Sequence, residues 1–144
     1  MDTEPSTLRD WLREHPPEDS AFRQTFAGVG RRHHAGEDFM PAVRELLDEF
    51  ALLVTDSQRV RALRDEPHLT GDLRFDAYLG ALAEHLAIIS SLPRPEWTLQ
   101  PARFLDRFWF VSDVPGFRAT AIAQSPAAFR RRGIFIARGA LERC

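Results

Sequence analysis

The sequence predicts a mainly α-helical fold in one compact domain covering residues 1–144, and three observations support this prediction. The length is that of one ordinary domain, which buries roughly 68–70% of the surface of its unfolded chain. Apolar residues recur at helical spacing in the two longest patterned segments, residues 39–54 and 74–89. Only two very short runs, near residues 110 and 135, have the composition of strands.

The composition is that of a soluble globular protein, with 44% hydrophobic and 28% charged residues. The net charge of -2 argues against the chain-wide basic excess that non-specific nucleic-acid binding requires. No apolar run is long enough to cross a bilayer, and the N-terminus lacks the pattern of a signal peptide. The single Cys144 cannot form an internal disulfide. We therefore expect a cytoplasmic protein with no membrane partner.

The N-terminal half is predicted to contain four helical segments, each with apolar residues three or four positions apart. They are Ser6–Glu14, a segment carrying Phe22 and Phe26, Phe39–Val54, and a short segment carrying Val60 and Leu63. Small polar residues precede these segments as candidate N-caps: Ser6, Asp19 or Ser20, and Asp56 or Ser57. Gly28 and Gly30 interrupt the second pattern, so the polar residues 31–38 are predicted to form a loop.

The strongest helical pattern follows Asp72 or Arg74 and reaches Ile89. One face carries a stripe of large apolar side chains, and the opposite face, which includes Ala77 and Ala81, is small or apolar as well. A helix that is apolar on several sides is buried on several sides. We therefore expect this helix to be the centre of the fold.

In the C-terminal half, a rigid turn at residues 93–95 precedes a helix predicted over residues 97–109, with Pro101 in its first turn. Two brief helices are predicted over residues 115–123 and 126–131. Ser125 is the candidate N-cap of the second, and Gly133 is placed as its C-terminal glycine. A last helical turn is predicted over residues 137–143.

The candidate functional residues lie in this half. Arg130–Arg132 is a basic run between Phe129 and Phe135, which suits contacts with a partner, or equally with the carbonyls at a helix C-terminus. Trp and Arg are enriched at binding hot spots, whereas no catalytic motif, phosphate-binding loop or cofactor motif is present in the sequence. The predicted partner-binding residues are Arg107, Trp109, Arg130, Arg131 and Arg132.

Two groups of residues that include histidine are candidates for metal binding, but their spacing is unsuitable. His33 and His34, with His68 from elsewhere, match none of the compact zinc motifs. Glu84 and His85 are adjacent on the central helix, so they point about a third of a turn apart and cannot share one metal as an i, i+4 pair would. We predict a solvated loop for the first group, a polar pair at the helix edge for the second, and no metal.

Residues 73–144 resemble an uncharacterised family of actinobacterial proteins. The motifs that carry the resemblance are Arg74-Phe75-Asp76-Ala77, Ala81–Ala87, Pro95-Glu96-Trp97, Arg103–Phe110, Ser125–Ile136 and Ala140–Arg143. Members resemble the C-terminal part of helix-turn-helix, antitoxin-like proteins, often encoded beside nucleotidyltransferase-like genes. Residues 1–70 do not match that DNA-binding domain. The resemblance therefore implies a partner-binding role and assigns no catalytic residue.

These observations lead us to expect a non-catalytic module that binds another macromolecule. The expected partner is a protein, such as a cognate toxin or an enzyme encoded nearby, and the expected role is antitoxin-like or regulatory. One alternative is a nucleic-acid-binding transcriptional regulator that uses Arg130–Arg132 and Arg31–Arg32. The other is a small metal-dependent enzyme that uses His33, His34 and His68.

Overall fold

The computed structural model describes residues 25–142, and most of this range is helical. The α-helices of this range are α1 (Phe26–His34), α2 (Phe39–Ala51), α3 (Asp56–Arg64), α4 (Leu73–Ile89), α5 (Arg118–Gln124) and α6 (Ala127–Arg130). Short 3-10 turns lie at Glu96–Leu99, Pro101–Arg103, Pro115–Phe117 and Arg138–Ala140. The prediction of a mainly α fold is confirmed. The helix predicted over Ser6–Glu14 lies outside the described residues.

Helix α4 is the centre of the fold, as its pattern predicts. Asp72 is its N-cap, with a carboxylate oxygen that accepts hydrogen bonds from the backbone N–H groups of Arg74 (3.2 Å) and Phe75 (3.5 Å). Most of its residues are buried, because α1, α3, α6 and the turns at Glu96–Leu99 and Pro101–Arg103 pack around it. No helix within residues 25–142 is both long and apolar enough to span a bilayer.

Helix α1 differs from the prediction because it continues through both glycines to His34. Thr25 caps it, with Oγ1 accepting a hydrogen bond from the N–H of Gly28 at 2.9 Å. Gly30 is buried, and its backbone faces the segment around Pro67 and Thr70. The predicted loop over residues 31–38 is therefore helical in its first half, because packing against this segment compensates for the low helix propensity of glycine.

Helix α3 is confirmed, but its N-cap is Thr55, one residue before the predicted candidates. Thr55 Oγ1 accepts a hydrogen bond from the N–H of Gln58 at 3.1 Å, and Gln58 Oε1 accepts one from the N–H of Thr55 at 3.1 Å. This reciprocal pair is a capping box. It explains why Gln58 is buried although it is polar.

The helix predicted over residues 97–109 does not form. After two 3-10 turns the chain bends at Asp106 and Arg107, and strand β1 (Trp109–Phe110) then pairs in parallel with strand β2 (Ile134–Phe135). The N–H of Leu105 donates to the carbonyl of Arg132 at 3.2 Å, and that of Trp109 donates to the carbonyl of Gly133 at 2.8 Å. These bonds use the donors that a helix would need. The two short strands are confirmed near the predicted positions.

Ser125 does not cap α6 as predicted, and the N-cap residue there is Pro126. The Ser125 hydroxyl instead donates to the carbonyl of Ala121 at 2.6 Å and accepts from the N–H of Ile136 at 2.8 Å. It therefore links the end of α5 to the residue after β2. Gly133 has a φ of 78°, which fits the predicted glycine that ends the helix.

A close approach between α4 and the turn at Pro101–Arg103 requires glycine at position 80. A Cβ atom at Gly80 would lie 2.9 Å from Cβ of the buried Arg103. The obstructing atom is next to the backbone, so it cannot move as the end of a flexible side chain could. Gly80 therefore lets the Arg103 side chain pass directly over the helix.

We expect Gly80→Ala to lower the free energy of unfolding by about 1–2 kcal/mol, because overpacking outweighs the gain in helix propensity. Gly30→Ala is the matched control: Gly30 is also buried within a helix, but its added Cβ would have no neighbour closer than 3.7 Å. That variant should be as stable as the wild type or up to about 1 kcal/mol more stable. Urea denaturation measures both. Equal changes in the two variants would contradict the proposed clash.

Candidate functional site

Two arginine side chains, Arg103 and Arg132, are completely buried, with 0% of their surface exposed. Arginine is rarely buried unless its charge and donors have partners. The terminal Nη groups of both guanidinium groups have such partners in backbone carbonyls, an aromatic face and a carboxylate, whereas the buried Nε of each has no hydrogen-bond partner within the described residues. The two residues therefore organise the region in which the candidate functional residues lie.

Arg103 connects the central helix to the segment before it. Its guanidinium donates to the carbonyl of Asp76 at 3.2 Å and to the carbonyl of Pro67, and it lies 5.0 Å from the centroid of the Trp97 ring. Glu66 Oε1 is 3.8 Å from Nη2. Burial lowers the pKa of Arg103, and the charges of Asp76 and Glu66 oppose this effect.

The carboxylate of Asp76, in the first turn of α4, binds residues of the segment that precedes this helix. It accepts hydrogen bonds from the N–H and the hydroxyl of Thr70, at 2.9 and 2.8 Å, and from the N–H of Gly71 at 3.3 Å. Because this carboxylate is buried, these donors replace the water that it loses. Residues 70–71 are thereby held at the N-terminal end of α4.

Arg132 connects α4 to the C-terminal segment. Its guanidinium donates to the carbonyls of Ala128 (2.8 Å) and Thr98, and Nη2 lies 3.3 Å from Oε2 of the buried Glu84. The same group lies 4.4 Å from the centroid of the Phe104 ring. Burial lowers the pKa of Arg132, and its hydrogen bond to Glu84 opposes this effect.

The structure separates the three arginines that we predict together as partner contacts. Arg132 lies in the interior and cannot touch a partner, which corrects the prediction for that residue. Arg131 is 41% exposed and lies 3.4 Å from Oε1 of Glu84. Arg130 is exposed and donates to the carbonyls of Ile122 at 3.0 Å and Ala123 at 3.5 Å, near the C-terminal end of α5. The run therefore does not form a single basic surface.

Trp109 is half-buried rather than fully exposed or fully buried. Its ring lies 5.9 Å from that of Phe75 and 6.2 Å from that of Tyr78, in edge-to-face arrangements. The guanidinium of Arg74 covers it at 5.6 Å from the centroid. The Trp109 ring thus lies between aromatic residues of the core and the side chain of Arg74.

Arg74 also lines an open groove of about 920 Å³. It is lined by residues 71–74, 101–102 and 104–108, and we call it the Phe108 groove. Leu73 and Phe108 expose 68% and 77% of their surface. Arg107, one of the predicted partner-binding residues, also lines it.

Phe108 is exposed, but its position is fixed by the segment behind it. A Cβ atom at Gly133 would lie 3.5 Å from Cδ1 of Phe108, so the glycine backbone lies directly against this ring. The Phe135 ring is 5.4 Å away in an edge-to-face arrangement. The next residue, Trp109, is hydrogen-bonded to the Gly133 carbonyl. The ring is therefore held in position without being covered.

Some charged side chains of the Phe108 groove already have partners within the chain, and others do not. Asp72 caps α4 and lies 3.5 Å from Nε2 of His33, and Arg74 covers Trp109. Arg107 and Asp106 are exposed, and neither forms an ion pair or side-chain hydrogen bond within residues 25–142. Arg107 is thus available to a carboxylate from outside.

The histidines near α1 differ in burial and in their contacts. His33 lies edge-to-face against Phe75 at 4.3 Å and Phe39 at 5.6 Å, whereas His34 and His68 are exposed. In the described part of the chain, no three His, Cys, Asp or Glu side chains form a group that could hold a metal ion.

The adjacent residues Glu84 and His85 differ from the polar pair at the helix edge that we predict. Glu84 is buried against Arg132, and His85 is half-buried, 6.1 Å from the Phe129 ring. Burial lowers the pKa of His85. Sequence reasoning missed the Glu84–Arg132 pair because its two members are 48 residues apart.

Sequence reasoning also missed the groove. Phe108 follows Phe104 and Leu105 at helical spacing, and this pattern predicts a buried stripe.

Comparisons with protein-family models, with curated proteins and with solved structures find no match for this chain.

We expect Arg132→Met to lower the free energy of unfolding by about 3–5 kcal/mol, since it leaves the buried Glu84 with only the solvent-exposed Arg131 as a cationic partner and removes the donors to the carbonyls of Thr98 and Ala128. Arg130→Met is the control, because Arg130 is exposed; it should cost under about 1 kcal/mol. Equilibrium urea denaturation distinguishes the two. Similar losses in both variants would show that Arg132 does not have the proposed structural role.

We expect His85 to make the protein less stable in mild acid. Its folded-state pKa is below the ordinary 6.5, so below about pH 6.5 the unfolded chain takes up the proton more readily and the free energy of unfolding falls. Thermal unfolding at pH 7.5 and 5.5 should show a smaller decrease in Tm for His85→Gln than for the wild type. His34→Gln, at an exposed position, should keep the wild-type decrease. Identical decreases in all three proteins would contradict this role.

Proposed function

We propose that this protein is a protein-binding module with an antitoxin-like or regulatory role, and that the Phe108 groove receives a segment of its partner. The observation that carries the proposal is the exposure of Phe108 beside Leu73. Phe108 is the most exposed large hydrophobic side chain within residues 25–142. A single exposed apolar residue is ordinary, but two that face one groove form a patch that a partner can cover.

The energetics favour Phe108 as the anchor of such an interface. Complete burial of a phenylalanine side chain contributes about 1.5–3 kcal/mol. The contacts of the ring with Gly133 and Phe135 reduce the rotamer entropy that is lost when a partner covers it. The groove therefore presents a preorganised apolar surface.

The charges suggest the chemistry of the partner segment. Arg107 can pair with an acidic side chain, since it has no ion pair within the described residues. Arg is enriched at interfaces, where its planar group binds carboxylates in a bidentate manner. We infer a partner segment with an apolar side chain that packs on Phe108 and a nearby Asp or Glu that pairs with Arg107. The family resemblance supports a partner encoded by an adjacent gene.

Binding to nucleic acid has less support from the same region. Arg132 is buried, Arg131 is close to Glu84, and Arg130 interacts with the carbonyls near the end of α5. A basic surface for phosphates needs several unpaired cations on one face. Tight binding of this protein to duplex DNA would contradict the proposed protein-binding function.

We expect the product of the adjacent gene to form a complex with the full chain, and Phe108→Ser to weaken that complex roughly 10–100-fold. Arg107→Glu should slow association and change its salt dependence. Calorimetry and stopped-flow kinetics measure these effects.

Two exposed residues outside the groove supply the matched controls: Ile122→Ser for the apolar change and Arg138→Glu for the charge change. Both variants should bind like the wild type. Equal weakening in all four variants would exclude the groove as the interface. Absence of a complex, together with tight binding of the wild type to duplex DNA at physiological salt, would favour the nucleic-acid alternative.

A further inference from the structure

A second cavity, of about 270 Å³, lies where strands β1 and β2 end. The rings of Phe110 and Phe135 form one wall, and Phe117, Ala121 and Ala140 contribute to the others. None of its lining residues belongs to the Phe108 groove, so the two sites are physically distinct. We call it the Arg118 pocket, after the one charged residue in its lining.

The walls of the Arg118 pocket are already fixed. The rings of Phe110 and Phe135 are stacked, with centroids 5.0 Å apart and planes at 23°. The N–H of Val111 donates to the carbonyl of Phe135 at 3.1 Å, which holds the two strands together behind the rings. Ser125 ties the end of α5 to Ile136. A ligand would thus enter an apolar space that needs no rearrangement.

Arg118 is the one charged residue in the pocket lining, and its position would orient an anionic ligand. The guanidinium of Arg118 lies 5.5 Å from the centroid of the Phe110 ring, at one side of the apolar walls. It forms no ion pair or side-chain hydrogen bond within residues 25–142, and the pocket lining contains no acidic residue. An arginine in this position attracts anions and can bind a carboxylate through two parallel hydrogen bonds.

We propose that the Arg118 pocket binds a small organic carboxylate that carries one aromatic ring or a branched aliphatic group. The apolar part would pack on Phe110 and Phe135, and the carboxylate would pair with Arg118. The volume is below the roughly 300–1,000 Å³ of pockets for drug-sized ligands, which limits the ligand to about one ring. Ligand sites of this kind are mostly apolar, with few polar groups that set orientation.

The test uses phenylacetate and its neutral isostere phenylacetamide, titrated into the full-length chain and followed by calorimetry and by ¹H–¹⁵N NMR. Phenylacetate should bind roughly ten-fold more tightly than phenylacetamide, because only the acid pairs with Arg118. In Arg118→Gln, both compounds should bind with the lower affinity. Arg138→Gln, outside the pocket lining, should leave the preference for the acid unchanged.

A pocket-filling variant distinguishes this site from general surface binding. Ala140 is exposed at its rim, so Ala140→Phe should fill the cavity without disturbing the core and should abolish binding of both compounds. The proposal is overturned if acid and amide bind equally to the wild type, if Ala140→Phe binds as well as the wild type, or if neither compound binds at concentrations up to about 10 mM. These results do not depend on whether the Phe108 groove binds a protein.

Discussion

The burial of the Arg132 guanidinium is the interaction on which the C-terminal half depends. One side chain joins three parts of the chain through Glu84 on α4, the carbonyl of Thr98, and the carbonyl of Ala128 in α6. A buried charge is tolerated only when nearly all of its partners are present, since removing one leaves another group unpaired. The position of each segment is therefore constrained by the other two, much as a metal ion constrains its ligands.

Both surface sites follow from that constraint. With Arg132 fixed, its carbonyl accepts a hydrogen bond from the N–H of Leu105, and the next carbonyl accepts one from the N–H of Trp109. Two successive carbonyls thus anchor both ends of residues 105–109, and the chain between them bends at Asp106 and Arg107. This arrangement leaves Phe108 at the open groove, while Trp109 packs against Phe75 and Tyr78. The β2 segment that follows Arg132 supplies Phe135, which contacts Phe108 and also lines the Arg118 pocket.

The sequence pattern predicts the structural features that depend on residues close to one another in the chain. The stripe of α4, its Asp72 cap and the turn at Gly133 depend on neighbours in sequence, and all three were predicted correctly. The segment 97–109 was predicted as a helix because Phe104, Leu105 and Phe108 are spaced like a buried helical face. Its real conformation depends on carbonyls some 25 residues away, which no local pattern reveals. Arg132 is predicted as a partner contact because it belongs to a basic run beside Phe129 and Phe135. Its burial depends on its pairing with the distant Glu84, which the sequence pattern does not reveal.

The separation of Glu84 and Arg132 also affects how the chain is made. A ribosome adds about 5–20 residues per second, so the 48 residues between the two partners take roughly 2–10 s to synthesise. During that interval α4 lacks the later segments that pack on it, so Glu84 has no arginine partner and part of the apolar surface of the helix is uncovered. Nascent chains with exposed apolar surface are prone to aggregate. Slower translation of residues 85–132 would therefore lengthen the time for which this surface is exposed.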